Sequence, residues 1–300
     1  MDDSPRPGRP EPLAPGLRRV LAPNPSPMTH WGTNTYLLGK AALAVIDPGP
    51  DDDAHLQALL EAIGTVPVSH ILVTHSHKDH SPLAPRLAAL TGAPVLAFGD
   101  SAAGRSPAMT ALALSADLGG GEGVDAGFAP DRRLADGARL DGADWSLTAR
   151  HTPGHFGNHM CFLWGDGAFS GDHVMGWAST LISPPDGDLG AFRRSCADLA
   201  ATGVRRLWPG HGAPVDDAPA RIAALLAHRE ARDAQIRAAL AAAPGTAAEL
   251  AARIYTDTPA ALLPAAARNV LAHLIALRDK GFAAPRGPLS ADAVFAPTGR

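Results

Sequence analysis

The sequence predicts an α/β domain followed by a small helical domain. Strand-like and helical segments alternate as far as about residue 215, which is the pattern of an α/β architecture. From about Pro219 onward, three Ala-rich helical segments follow one another. The chain has 300 residues, of which 46% are hydrophobic and 19% charged, so it can bury the core of one large domain or two smaller ones.

Composition limits the partners and the compartment that we expect. The formal net charge of −4 gives no general attraction to nucleic acid or to an anionic membrane surface. Two cysteines, Cys161 and Cys196, cannot form a disulfide framework and are expected to be inert, which favours a reducing compartment. No stretch approaches the roughly 20 apolar residues of a membrane helix. We therefore expect a cytoplasmic protein without membrane contact.

The first part of the chain begins with a Pro-rich segment, residues 1–19, which is typical of a disordered tail. After it, apolar runs bounded by turn residues predict strands, and apolar residues at helical spacing predict helices. The stretch 100–135 has no regular pattern, and its glycine-rich segment GGGEG (119–123) predicts a flexible loop. The predicted elements are strands over 34–40, 41–49, 68–75 and 93–98, with helices over 51–64 and 81–92.

The second part of the chain completes the α/β domain, for which we predict the bounds 20–217, and then enters a helical domain over 218–300. Strand patterns cover 145–154 and 159–172, a helix covers 188–203, and a further strand runs into a loop over 204–212. The helical domain contains helices over 220–245, 246–259 and 263–281, followed by an extended tail.

The densest concentration of metal-binding side chains is the segment HSHKDH. It places His75, His77, Asp79 and His80 directly after an apolar strand. Because a strand end projects neighbouring side chains in divergent directions, this spacing can supply two adjacent metal ions. Imidazole and carboxylate groups together suit zinc, iron or manganese.

Three more segments place His or Asp beside glycine just beyond a strand. They are HTPGHFGNHM (151–160), FSGDHVM (169–175) and WPGHGAPV (208–215). Loops at strand ends can direct such side chains towards a common site. The four segments together therefore favour one composite metal site.

In these motifs the chain resembles the metallo-β-lactamase-fold hydrolases. HSHKDH matches that family's HxHxDH pattern, and TPGH, SGD and PGHG follow in the expected order. The resemblance covers roughly residues 20–215 and implies an αββα sandwich. It also implies two divalent metal ions, for which zinc is expected and iron or manganese are alternatives. The implied ligands are His75, His77 and His155 for one ion, Asp79, His80 and His211 for the other, and Asp172 bridging both.

The same resemblance implies a metal-bound hydroxide as the nucleophile. Asp79 is expected both to bind metal and to carry a proton to the leaving group, which makes it the candidate catalytic residue. Asp47, His159 and His173 are candidates for hydrogen bonding behind the ligands. The remaining histidines are expected to be structural: His30, His55, His70, His151, His228 and His273.

Departures from subfamily patterns narrow the expected substrate. Class B β-lactamases have a cysteine, or lack an acid, where this chain has Asp172, so antibiotic hydrolysis is not expected. Acyl-homoserine lactonases place a tyrosine shortly after the bridging acid, and here the only tyrosines are Tyr36 and Tyr255. Nucleases with a large inserted cap domain need more residues between SGD and PGHG than this chain has.

The helical domain is similar to the winged-helix-type C-terminal region of the mitochondrial β-lactamase-like endoribonuclease and its bacterial relatives. Residues 218–286 hold nine Arg or Lys against five Asp or Glu, a surplus too small to establish a phosphate-binding face. The domain could equally pack over the active-site mouth or form a dimer.

Several functions therefore remain open. The first is hydrolysis of a small ester, thioester or related acyl substrate by a dinuclear metal centre. The second is a metal-dependent endoribonuclease acting on single-stranded RNA. A nucleic-acid-binding regulator with a vestigial hydrolase domain is an alternative of another class, and a one-iron dioxygenase of the same fold is a minor alternative.

Overall fold

The computed structural model describes residues 4–114, 123–259 and 262–299, in which two sheets stack face to face with helices on both outer surfaces. This is the predicted αββα arrangement. The predicted glycine-rich loop at 119–123 lies outside the described residues except for Gly123.

The first sheet contains seven strands that lie side by side in chain order. The first four pair antiparallel, and the pairs from the fourth to the seventh are parallel. Helices α1 (Asp53–Ile63) and α2 (Ala84–Thr91) cover its outer face through the leucine side chains that they bury. The strands are β1 (Glu11–Ala14), β2 (Leu17–Leu21), β3 (Asn34–Leu38), β4 (Leu43–Ile46), β5 (Val68–Leu72), β6 (Val95–Ala97) and β7 (Arg132–Arg133).

The expectation of a disordered tail over 1–19 is wrong for its C-terminal part, which forms β1 and most of β2. Leu17 and Val20 are fully buried, and hydrophobic burial offsets the cost of ordering this segment. The Arg19 guanidinium donates to the Gly212 carbonyl at 3.1 Å and to the Glu11 carboxylate at 2.5 Å. Because residues 1–19 are rich in proline, the few apolar residues at the end of this segment did not indicate a strand in the sequence.

The second sheet contains five strands in the order β12-β11-β10-β9-β8. Neighbours from β8 to β11 are antiparallel, and β12 joins β11 in parallel after a crossover through helix α4 (Leu189–Ala201). The side chain of Asp188 accepts from the Ala191 N–H at 2.9 Å and caps that helix. The strands are β8 (Arg139–Asp141), β9 (Ser146–His151), β10 (Met160–Trp164), β11 (Gly167–Gly171) and β12 (Arg206–Pro209).

The core between the sheets is built from alternate residues of facing strands. Tyr36 and Leu72 of the first sheet share one cluster with Phe162, Phe169 and Trp208 of the second. The Tyr36 and Phe169 rings lie 5.2 Å apart. This packing fixes the two sheets against each other, and with them the loops that leave their common edge.

The C-terminal region contains three helices and a hairpin: α5 (Ala218–Ala242), α6 (Ala247–Ile254), α7 (Leu263–Asp279), β13 (Ala283–Pro285) and β14 (Phe295–Pro297). The tail that was predicted to be merely extended thus forms an antiparallel pair. Helix α5 joins the two domains, since Ile222 packs beside the second sheet and Ile236 packs within the helical domain.

One helix was not predicted. Residues Pro107–Leu114 form α3 within the stretch expected to be irregular, and its Met109 and Leu112 pack into the core of the C-terminal helices. Among the described helices, none combines the length and apolar character needed to cross a membrane.

Candidate metal centre

The four motif segments converge at one edge of the sandwich, at loops that follow β5, β9, β11 and β12. All seven predicted ligands are brought together there, in three overlapping groups whose ligand atoms lie within 4.8 Å of one another. The groups are His75, His77 and His155; His75, His80 and Asp172; and Asp79, His80 and His211.

The first cluster of nitrogen atoms comes from three imidazole rings. His77 Nδ1 lies 2.9 Å from His75 Nε2 and 3.0 Å from His155 Nε2. All three residues are sufficiently buried that their pKa values are lowered, and that of His77 falls to about 3. Burial and the neighbouring imidazoles disfavour protonation here, so the three rings present neutral nitrogen lone pairs, as metal ligands must.

The second cluster contains a carboxylate and two imidazoles. His211 Nε2 lies 3.1 Å from Asp79 Oδ2 and 3.3 Å from His80 Nε2, and the distance from His80 Nε2 to Asp79 Oδ2 is 3.5 Å. Carboxylate and imidazole atoms at such spacing form a ligand set suited to a divalent ion.

Asp172 lies between the two clusters. Its Oδ1 atom is 3.5 Å from His80 Nε2, whereas Oδ2 is 3.4 Å from His211 Nε2 and 3.7 Å from His155 Nε2. Oδ1 is buried and has no hydrogen-bond partner among the described residues, although a buried carboxylate oxygen without a partner is costly. Asp172 therefore faces both clusters, since its Oδ1 atom lies near His80 and its Oδ2 atom lies near both His211 and His155.

Charges in the second cluster are balanced by protons when metal is absent. Burial lowers the pKa of His211, but the carboxylates of Asp172 and Asp79 outweigh it and raise that pKa to about 9. The pKa of His80 is likewise raised, against burial, by Asp79, Asp172 and Asp47. Two protonated rings facing each other at 3.3 Å repel, and replacing their protons with a metal ion removes that repulsion.

Asp47 orients this cluster from behind. One of its oxygen atoms accepts from the Thr74 N–H at 2.7 Å. The other accepts from the Thr74 hydroxyl at 2.8 Å and lies 2.9 Å from His80 Nδ1. A proton on His80 Nδ1 leaves Nε2 free to face the metal position.

Three of the other four histidines, His75, His155 and His211, also have a protein acceptor for the ring nitrogen that faces away from the cluster. His75 Nδ1 is 3.0 Å from the Thr74 hydroxyl, whose own proton goes to Asp47. His155 Nδ1 is 2.8 Å from the Leu181 carbonyl, and His211 Nδ1 is 3.1 Å from the Gly32 carbonyl. These contacts select the tautomer in which Nε2 binds metal.

Two glycines are required by the close approach of the motif loops. A Cβ at Gly210 would lie 2.5 Å from Asp172 Oδ1 and 2.6 Å from His80 Cε1. A Cβ at Gly171 would lie 2.6 Å from His159 Nε2, and the backbone there has φ +46°. Gly210 of PGHG therefore leaves room for Asp172 and His80, and Gly171 of SGD leaves room for His159.

His159 and His173 lie behind the ligands and outside the three ligand groups. His159 Nδ1 is 2.9 Å from the Thr152 hydroxyl, and its ring lies 5.2 Å from that of His75. His173 Nε2 is 3.5 Å from Cys196 Sγ. Burial raises the pKa of both the Cys161 and Cys196 thiols to about 12, so neither thiol is ionised near neutral pH.

Three of the histidines expected to be structural have partners outside the three ligand groups. His151 stacks on Phe98 with ring centroids 3.6 Å apart, and His273 Nδ1 is 2.6 Å from the Asp233 carboxylate. His55 Nε2 is 2.9 Å from the Thr35 hydroxyl.

Sequence reasoning missed several residues that support the site. The Asn158 amide donates to the Ser76 hydroxyl at 3.0 Å and to the Asp100 carbonyl at 3.1 Å, and so holds the loop that carries His75 and His77. The position of Asn158 inside the motif segment GNHM could have indicated this role from the sequence. Asn34 donates to the Pro209 and Gly212 carbonyls at 2.9 Å each and braces the His211 loop.

A cavity of about 260 Å³ opens onto the candidate metal ligands. His77, Asp79, His155 and Asp172 form part of its wall. The remaining lining residues are Met28, Gly123, Val124, Leu181, Ser183, Asp186 and Arg268. The last of these comes from α7, so the C-terminal domain contributes to the wall of the cavity.

The profile of the metallo-beta-lactamase superfamily matches residues 28–229, which is more than half of the chain. The chain belongs to the metallo-β-lactamase superfamily. A second profile, that of the beta-lactamase associated winged helix domain, matches residues 246–285.

The relatives of this superfamily member differ in how much of their own length the match covers. It is 30% identical over 283 residues to the Beta-lactamase-like protein 2 homolog of Drosophila melanogaster, covering 90% of each chain. It is 31% identical over 230 residues to the lactamase-like protein adaB of Aspergillus niger, and 29% identical over 237 residues to the atrochrysone carboxyl ACP thioesterase dmxR1 of Cryptosporiopsis sp.. These matches cover 75% and 77% of this chain but only 63% and 64% of those proteins.

Two solved structures extend the similarity to the whole chain. A beta-lactamase domain protein from Burkholderia ambifaria superposes with a TM-score of 0.81 at 26% identity, covering 99% of this chain and 96% of that one. A metallo-beta-lactamase family protein from Thermus thermophilus gives a TM-score of 0.75 at 28% identity, covering 96% and 100%. The similarity includes the C-terminal domain, which is the predicted subgroup architecture.

Proposed function

We propose that this protein is a metal-dependent hydrolase that holds two divalent ions and cleaves a small ester, thioester or related acyl substrate. The observation that carries the proposal is the convergence of seven imidazole and carboxylate side chains at the wall of one cavity. Three neutral imidazoles form one half of the ligand set, and a carboxylate with two imidazoles forms the other.

The residues present fit two ions. His75, His77 and His155 would hold one, Asp79, His80 and His211 the other, and the partnerless Oδ1 of Asp172 supports a bridging role for that residue. Nitrogen and oxygen ligands of this kind favour zinc and also accept iron or manganese. When bound, the ions would lower the pKa of a water molecule and stabilise negative charge that develops on the substrate.

The chain's own contribution is to hold these groups and to shape the cavity. Asp79 has 27% of its side chain exposed, whereas His80 and His211 are buried, so Asp79 is the carboxylate best placed to exchange a proton with substrate. Burial raises its pKa, but His80 and His211 outweigh that effect and keep it ionised. A carboxylate whose pKa is lowered is a good metal ligand but a weak base. Proton transfer is therefore the second of the two roles that we propose for Asp79.

A small acyl substrate fits the cavity better than an extended strand of RNA. The volume of about 260 Å³ is modest, and Met28, Val124 and Leu181 give it apolar surface, which favours an acyl chain. The relative dmxR1 is named as a thioesterase, which supports the same substrate class.

The alternative of an endoribonuclease rests on the winged-helix profile at 246–285. Several basic residues of the helical domain that contains this profile, most of them on α5, are already engaged within the protein, which leaves few for phosphate contacts. Arg229 is buried, Arg232 and Arg237 lie over the rings of Tyr255 and Phe282 at 4.1 Å, and Lys280 pairs with Asp233 at 3.3 Å.

The regulator alternative is less economical, because it leaves the complete ligand set without a use. Buried polar groups are retained at a cost. A one-iron dioxygenase would use only one of the two halves of the ligand set.

A substrate panel tests the proposal. Metal-loaded protein would be given acyl esters, acyl thioesters and short single-stranded RNA, and turnover would be measured before and after chelation. We expect chelator-sensitive cleavage of esters or thioesters that is lost in His77→Ala and kept in His228→Ala, since His228 is exposed on α5. Cleavage of RNA alone would support the alternative, and unchanged activity in His77→Ala would contradict both.

A further inference from the structure

Arg268 is the cationic group among the described residues that line the cavity. It lies in the first half of α7, so the second domain delivers it to a site whose metal-binding residues all come from the first. The two histidines of the lining, His77 and His155, belong to the candidate ligand set.

No carboxylate of the described residues is within ion-pair distance of Arg268, and its Nε atom is buried without a hydrogen-bond partner. The absence of a carboxylate partner distinguishes Arg268 from two other arginines, whose Nε atoms also lack a hydrogen-bond partner. Arg105 binds Asp186 of the same cavity at 2.6 Å, and Arg193 binds Asp233 at 2.8 Å. An unsatisfied buried N–H is costly, so a ligand that supplies an acceptor would be stabilised there.

The carboxylates of the lining cannot serve as that acceptor. Asp79 and Asp172 belong to the metal-binding clusters, and Asp186 is held by Arg105. A guanidinium group presents its donors in a planar fork that matches a carboxylate or a phosphate. The acceptor therefore has to come from the bound molecule.

We propose that Arg268 binds an anionic group of the substrate, so that the preferred substrate is an acyl ester or thioester that also carries a carboxylate or a phosphate. This rests on the proposed hydrolase function and narrows its substrate class. In this arrangement Arg268 recognises the anionic group of the substrate. The apolar surface of Met28 and Leu181 contacts its acyl part.

Binding of matched acids tests the role of Arg268 without turnover. Succinate, glutarate and adipate would be titrated by calorimetry against butyrate, pentanoate and hexanoate, which have the same chain lengths and one carboxylate fewer. Both metal-loaded and metal-free protein would be used. We expect at least one diacid to bind about tenfold more tightly than its monoacid, the scale of one charge-assisted hydrogen bond.

Variants assign that preference to one residue. Arg268→Gln should bind the diacid and the monoacid equally, and Arg268→Lys should restore part of the difference because the charge is kept. Arg237→Gln is the matched control, since it removes an arginine of the same domain that lies over Phe282 and outside this cavity. Its preference should equal that of the unmodified protein.

Further probes distinguish the sources of the anion. Tighter binding of 4-phosphonobutyrate than of glutarate would identify a phosphate, and the reverse a carboxylate. Binding of a short single-stranded oligouridylate that exceeds every small acid and is lost in Arg268→Gln would overturn the proposal in favour of RNA. Equal binding of diacids and monoacids by the unmodified protein would also overturn it.

Turnover separates this proposal from the hydrolase function. Chelator-sensitive cleavage of neutral esters, with no gain from a distal acid group and no effect of Arg268→Gln, would leave the function standing and the substrate assignment wrong. If the protein bound no metal but still preferred diacids, the hydrolase function would be wrong and the role of Arg268 in binding an anion would stand.

Discussion

At the scale of single residues, four of the five histidines of the site are held by protein acceptors on the side away from the other ligands. Asp47 is the most connected of these, because its carboxylate contacts both His80 and Thr74, and Thr74 in turn contacts His75. It reaches this position with φ 51° at the end of β4, a conformation that Asp and Asn adopt more readily than other residues. We expect its role to be to fix the orientation of the His80 ring.

Asp47→Asn tests that role while keeping the size and the backbone conformation. Loss of the negative charge weakens the hold on His80 Nδ1, and we expect metal affinity to fall about 10- to 100-fold. Competition with a chelator of known affinity measures it. Asp144→Asn is the control, since Asp144 accepts from the Lys40 N–H at 2.8 Å in a turn far from the metal ligands. Equal affinities in both variants would contradict the role of Asp47.

Proton release on metal binding is a second expectation at this scale. His211 has a pKa of about 9 without metal, so near pH 7 an ion must displace its proton. The affinity for the second ion should therefore rise with pH, by about tenfold per pH unit for the proton of His211 below pH 9 and more steeply because the pKa of His80 is raised as well. For the same reason, stability that protonated His211 gives the metal-free protein is fully present below about pH 6.5 and lost as the pH rises through 9.

Calorimetric titration of metal in buffers of different ionisation enthalpy at pH 7 counts the protons released. A count that decreases in His211→Ala supports the assignment. A buffer-independent enthalpy would show that His211 is already neutral.

At the scale of secondary-structure elements, the site depends on how closely the loop after β12 approaches the loop after β11. Gly210 permits that approach, since a Cβ there would lie 2.5 Å from Asp172 Oδ1. Distances this short require one of the loops to move.

Gly210→Ala should displace Asp172 or His80 and lower the occupancy of the second metal position, with about tenfold weaker binding or more. The metal-to-protein ratio after gel filtration measures it. Gly127→Ala is the control, because its new Cβ would meet Asp125 Oδ1 only at 3.9 Å. Full occupancy in Gly210→Ala would show that the loops tolerate the methyl group.

Elements differ in how far the sequence predicts them. The strands before each motif were predicted because apolar runs end at Gly, Pro and Asp, and the motif histidines therefore fall at strand ends. Strands β1 and β2 and helix α3 were missed, since their order comes from contacts with distant residues such as Arg19 with Gly212. The amino-acid composition of a segment does not indicate such long-range contacts.

At the scale of the whole molecule, a buried arginine connects the two domains. Arg229 of α5 donates to the Thr180 carbonyl and, at 3.0 Å, to Asn269 Oδ1 of α7. The Thr180 hydroxyl donates to the Asp172 carbonyl at 2.7 Å, and the next residue, Leu181, accepts from His155. The helical domain thus supports two metal-binding residues through one side chain.

Arg229→Met would leave the Thr180 carbonyl and the Asn269 amide oxygen without their donor. Unsatisfied buried acceptors cost about 1–3 kcal/mol each, and part of that loss is offset because burial already disfavours the charge, lowering the pKa of Arg229 to about 10. We expect a net loss of about 2 kcal/mol in the free energy of unfolding, measured by chemical denaturation. Metal affinity should fall as well.

Arg237→Met is the matched control for this prediction, because Arg237 is exposed on the same helix. A loss of stability without any change in metal affinity would show that Arg229 supports the domains but not the site.

The convergence of the seven candidate ligands could be predicted from sequence because each lies inside a short motif, although only HSHKDH indicates metal by its own spacing. The remaining assignments needed a family resemblance. Arg229 and Arg268 could not be predicted, since both lie in Ala-rich helical segments that resemble ordinary solvated helix. Their roles arise only when the helical domain packs against the sandwich.

The central claim is that two ions occupy one site, and anomalous X-ray diffraction from crystals grown with zinc tests it most directly. The account predicts two anomalous peaks, one among His75, His77 and His155 and the other among Asp79, His80 and His211, with Asp172 in contact with both. A single peak, or peaks away from these residues, would contradict it.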